Sequence, residues 1–104
     1  MTFDHVAIES CDIKRSVDWY VKNIGCEIIH CDETWAMLKT GEIKIALVLK
    51  GEHPPHIAFR VDSTIKIPEK NGKIKNHKDG SSYIYGSDPD GNIVEWVAYT
   101  ESEE

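Results

Sequence analysis

Two histidines and one glutamate have both the type and the placement to do chemistry. His5 opens the phrase His5-Val6-Ala7-Ile8, and the pattern returns as His56-Ile57-Ala58-Phe59, close to halfway along the 104 residues. Near the end, Asn92-Ile93-Val94-Glu95-Trp96-Val97 sets one carboxylate inside an apolar run. Side chains alternate along a strand, so parity tells which face each residue uses. His5 shares a face with Ala7 and His56 with Ala58, whereas Val6, Ile8, Ile57, Phe59 and Val61 lie on the opposite faces. Each imidazole therefore has a small neighbour beside it and points away from the apolar layer. An ionised Glu95 flanked by Ile93 and Val97 is costly to bury unless a cation or hydrogen-bond donors compensate it. Two imidazoles and one carboxylate suit a divalent metal. Taken singly, either histidine also fits a hydrogen-bonded strand residue, and Glu95 an ion pair with Arg60 or a lysine on an exposed face. The repeat favours a shared site, because it brings the two histidines together across a pseudo-two-fold axis.

The elements that must carry these residues are legible in outline. Residues 2–9 alternate as a half-buried strand. Asp12 caps a helix whose Ile13, Val17, Tyr20 and Ile24 form one apolar stripe, stopped at Gly25. Strands are expected at 26–31, 34–39 and 43–49, the last two joined by a turn at Thr40-Gly41. Lys50 to Pro55 is a hinge, since Pro54-Pro55 cannot sit in a central strand. Strand 56–61 restarts the pattern. The second half lacks a helical stripe between Asp62 and His77, where Pro68 and Gly72 interrupt, so an irregular linker is expected there. Strands near 73–78, 81–86 and 92–99 follow, with Asp88-Pro89-Asp90-Gly91 as a turn before the last. Glu101 to Glu104 reads as a frayed acidic tail.

On these residues the chain resembles the vicinal oxygen chelate superfamily, which groups glyoxalase I, methylmalonyl-CoA epimerase, extradiol dioxygenases, fosfomycin-modifying enzymes and bleomycin-resistance proteins. The resemblance covers almost the whole length. It rests on Asp4-His5-Val6-Ala7-Ile8, the segment from Asp12 to Tyr20, Ile24-Gly25, His56 to Val61, and Asp88-Pro89-Asp90-Gly91-Asn92 leading into Glu95. It implies an α+β fold of two tandem βαβββ modules forming a cupped mixed sheet, with the second-module helix here reduced or absent. It implies a single domain over 1–104, with module one at about 1–50 and module two at about 54–100. It also implies metal ligands at His5, His56 and Glu95 for a divalent cation such as Fe, Mn, Ni, Zn or Co. Some members use a fourth ligand on the last strand of the first module. The repeat puts that position at Ala46, which cannot bind metal, and Glu42 lies roughly 13 Å away along a strand. This lowers glyoxalase and epimerase chemistry, where that carboxylate can also act as base.

A three-ligand site leaves positions for two neighbouring oxygens of a substrate, with the metal as Lewis acid or, as Fe(II), as an oxygen-binding centre. Tyr83 and Tyr85 share parity on a strand that the resemblance puts in the cup, and either hydroxyl is a candidate to hydrogen-bond or relay a proton. Cross-strand aromatic packing accounts for them equally well. Trp35 and Met37 are candidates for a pocket wall or for core. The expected function is a metal-dependent lyase, isomerase, transferase or dioxygenase acting on a small oxygen-rich substrate. The alternative is a metal-free protein that sequesters a drug or metabolite, as bleomycin-resistance members do. A net charge of −6 argues against nucleic acid and anionic membrane surfaces as partners. No apolar run reaches the ~20 residues of a membrane span, no signal-peptide pattern opens the chain, and three cysteines without zinc spacing read as reduced thiols, so a cytoplasmic setting is expected. By resemblance, two chains form a homodimer that completes each cup.

Overall fold

The computed structural model describes residues 1–62, 74–76 and 80–99. Among them are one α-helix and eight strands, an α+β arrangement as the resemblance implies: β1 (Thr2–Ser10), α1 (Ile13–Ile24), β2 (Glu27–Cys31), β3 (Trp35–Thr40), β4 (Ile43–Leu49), β5 (His56–Arg60), β6 (Lys75–Asn76), β7 (Ser82–Ser87) and β8 (Ile93–Ala98). The chain divides into two compact units, His5–His56 and Met1–Asp4 with Ile57–Glu104. Most of the expected linker between Asp62 and His77 and the acidic tail lie outside the described residues, and with them the question of a second helix.

In the first unit the strands run in the order β2-β3-β4-β1. β1 and β4 are parallel, with Ala7 facing Ala46, and β3 pairs antiparallel with both β2 and β4. The parallel pair needs a crossover, and α1 begins it. Asp12 accepts the backbone N–H of Arg15 at 3.2 Å, satisfying one of the donors that a helix start leaves open. Gly25 ends the helix in the left-handed region at φ 82°, its N–H reaching the carbonyls of Tyr20 and Val21. The helix presses Ile13 and Val17 onto Cys26, Ala36, Leu38 and Leu47, with Ile8, Tyr20 and Leu49 at the margin. Fully burying Leu38 and Leu47 contributes about 1.5–3 kcal/mol apiece. Ile24, expected in the stripe, is half exposed, because the buried face ends one turn before the helix does. The opposite face carries Ala7, Ala46 and Val48, with Met37 packed against them.

In the second unit the order is β5-β8-β7-β6. β5 and β8 are parallel, and Ala58 faces Glu95; β7 is antiparallel to β8, with Tyr85 facing Glu95 and Tyr83 facing Val97. One face holds Val61, Ile84 and Ala98, with Ile74 and Trp96 beside them. The other holds Ala58, Glu95, Val97, Tyr83 and Tyr85. The strand expected near 73–78 is the two-residue β6, pairing Lys75 with Tyr83. The turn before β8 is set by Asp88, whose carboxylate accepts the backbone N–H groups of Asp90 and Asn92 and the Asn92 amide. Cys11, Cys26 and Cys31 are free thiols.

Candidate metal centre

His5 sits on β1, and His56 is the first residue of β5. Both are buried, at 7% and 8% exposure, and their Nε2 atoms lie 3.2 Å apart. The rings meet edge to face, with centroids 5.3 Å apart. Nδ1 of His56 lies 2.8 Å from the carbonyl oxygen of Pro54. A carbonyl only accepts, so Nδ1 of His56 holds the proton of that hydrogen bond. Pro54 thus does more than interrupt the chain, since its carbonyl orients the His56 ring and holds the proton on Nδ1. Nothing in the residue types announces this; only the Pro54-Pro55-His56 geometry does. His53, at tempting spacing from His56, is exposed.

Glu95 is 2% exposed on β8. Its strand neighbours are Ala58 and Tyr85. The Tyr85 hydroxyl is pushed well above its usual range, first by burial, then by the negative charge of Glu95, then by Tyr83. It therefore stays a neutral hydroxyl, not a phenolate. Tyr83 and Tyr85 meet edge to face at 5.4 Å, so the packing role is present. Arg60 makes no ion pair among the described residues, and its guanidinium stacks over the Tyr99 ring instead, so the Glu95–Arg60 pairing is not formed.

Along β5, His56 and Ala58 use the same face, and Ala58 faces Glu95, so His56 and Glu95 are diagonal neighbours on one surface. His5, His56 and Glu95 each offer a ligand atom within 4.8 Å of the others. The two strand registers also fix the equivalence proposed from the repeat. Ala7 faces Ala46 as Ala58 faces Glu95, so Ala46 is the counterpart of Glu95 and brings no ligand. Of the other residues singled out, Met37 packs on the Ala7 face and Trp35 stacks on His30 at 4.0 Å. The donor set fits a divalent cation: a preset imidazole nitrogen, a second imidazole against it, and a buried carboxylate.

No protein-family profile and no curated protein matches this sequence. Solved structures do. Methylmalonyl-CoA epimerase from Mycobacterium tuberculosis superposes with a TM-score of 0.80 at 16% identity, over 98% of this chain and 90% of that one. A variant of Streptomyces coelicolor methylmalonyl-CoA epimerase in complex with 2-nitronate-propionyl-CoA gives 0.73 at 20%, over 97% and 96%. A protein described as an NAD-dependent benzaldehyde dehydrogenase from Legionella pneumophila gives 0.68 at 19%, over 91% and 97%. These likenesses show that the chain has the vicinal oxygen chelate fold, and the differing descriptions show that the fold alone does not choose a reaction.

Proposed function

We propose that this chain is a small metal-dependent enzyme that acts on an oxygen-rich substrate, with His5, His56 and Glu95 as metal ligands. The observation that carries it is the facing pair of Nε2 atoms, 3.2 Å apart, with the His56 ring oriented by the Pro54 carbonyl. A divalent cation bound there supplies a Lewis acid for negative charge developing on a substrate oxygen. The protein's own residues do the rest. Glu95 neutralises part of the cation's charge. Tyr85, held protonated, donates a hydrogen bond to a substrate oxygen on the Glu95 face, and Tyr83 packs against Tyr85 and restrains its ring.

The reaction is a lyase, isomerase, transferase or dioxygenase step. Proton abstraction of the epimerase kind is less favoured, because Ala46 stands where a second carboxylate would act as base. That alanine also supports a second reading, a metal-free protein that sequesters a drug or metabolite. Assays of Mn²⁺-loaded and metal-stripped protein against a catechol, a 2-oxo acid and a 1,3-dicarbonyl thioester separate the two. Metal-dependent turnover of any one supports the enzyme. Inactivity toward all three, with tight binding of bleomycin by stripped protein, supports the second. A homodimer belongs to the same proposal, supported by Ile28 and Ile29, both more than half exposed on the terminal strand β2. Sedimentation tests it.

A further inference from the structure

In the second unit Arg60 lies on the face that bears Glu95, with Lys75 on that face at the far end of the Tyr83 row. Arg60 follows Ala58 by two residues on β5, so both point to the same side, about 7 Å apart along the strand. Arg60 faces Val97, and Val97 faces Tyr83, one row beyond the row of Ala58, Glu95 and Tyr85. Its guanidinium carbon lies 4.5 Å from the centroid of the Tyr99 ring. The Tyr99 hydroxyl donates to the buried Asp4 at 2.8 Å, which anchors the ring the guanidinium rests on. Arg60 is exposed and has no ion pair among the described residues, so its planar fork is positioned and its N–H donors remain available.

Charge at the metal centre points the same way. Two neutral imidazoles and one carboxylate leave a divalent cation one unit positive, and Ala46 supplies no further acid to cancel it. We infer that Arg60 is a specificity-determining residue, selecting substrates that carry a carboxylate a few carbons from the oxygens that meet the metal. This rests on the metal-site reading given above. A carboxylate matches the guanidinium fork in two parallel hydrogen bonds, whereas a neutral group leaves the fork in water.

Calorimetric titration of full-length, Mn²⁺-loaded protein tests the assignment, using pyruvate as a chelating pair alone and 2-oxoglutarate as the same pair with a distal carboxylate. Wild type is expected to bind 2-oxoglutarate at least about tenfold more tightly than pyruvate. Arg60→Gln brings the two within about twofold by weakening only 2-oxoglutarate, and Arg60→Lys, which keeps charge without the fork, falls between. Lys75→Gln removes the same charge from the far end of the Tyr83 row and leaves the preference intact. A preference that survives Arg60→Gln overturns the assignment, as does an equal loss in Lys75→Gln, which would indicate a diffuse field. Direct Mn²⁺ titration separates the two levels. Mn²⁺ binding with an unchanged preference sinks the role of Arg60 alone, and absence of Mn²⁺ binding in wild type sinks both.

Discussion

The two units share a strand register and differ in what they place on it. In the first, Ala7 faces Ala46 and the surface continues into Val48 and Met37. In the second, Ala58 faces Glu95 and the surface continues into Tyr85 and Tyr83. The first unit carries two histidines at its ends and an apolar cluster of Ala7, Ala46 and Val48. The second contributes the acid and the hydroxyls. Backbone symmetry supplies equivalent positions, and side-chain choice puts an acid at only one of them.

Ala46→Glu attacks that asymmetry directly. The new carboxylate enters a site only 3% exposed, and without a cation to pair it the stripped protein is expected to lose about 3–5 kcal/mol. Mn²⁺ should recover much of that loss, which urea titrations with and without metal will show. Recovery would establish that the register equivalence is a chemical one. Leu47→Ala probes the helix-covered face of the first unit and should cost about 3 kcal/mol. Ile57→Ala, at a position 39% exposed in the second, should cost under about 1 kcal/mol. Tyr85→Phe removes a donor and no ligand, so turnover or oxyanion affinity should fall about tenfold with Mn²⁺ affinity unchanged. A drop in Mn²⁺ affinity would move Tyr85 into the ligand set.

The smallest effect concerns the turns, where the units behave alike. The Asp88 carboxyl is held below its ordinary value of 3.8 by the Asn92 side chain first and then the Asn92 backbone. Asp32 is held far below it by the Thr34 backbone N–H first and then by His30. Both pKa values are depressed on folding, so this stability is present above about pH 4 and drains as pH falls through the folded values. Urea midpoints should therefore fall progressively as pH drops below about 5, and Asp88→Asn should flatten the dependence.

Much of this was readable from the residues because strand parity and helix capping are local physics. Asp12, Gly25, the faces of His5 and Ala7, and the turn at Asp88 follow from nearest neighbours. The match of Ala46 to Glu95 was readable from the repeat, although only the strand registers make it geometric. What escaped depends on side chains reaching across the fold. The Pro54 carbonyl on His56, the stacking of Arg60 on Tyr99, and the bond from Tyr99 to Asp4, ninety-five residues away in sequence, have no spacing signature. Ile24 escaped for a related reason, since periodicity marks a stripe but not where the neighbouring sheet ends.

The central claim, that two imidazoles and Glu95 hold a divalent cation, is tested most directly by the metal content of protein purified without added metal. About one divalent ion per folded chain in the wild type, lost in a folded His56→Ala variant, is the predicted result. A wild type that stays metal-free after dialysis against Mn²⁺, Fe²⁺, Co²⁺, Ni²⁺ or Zn²⁺, or a variant that keeps its ion, would contradict it.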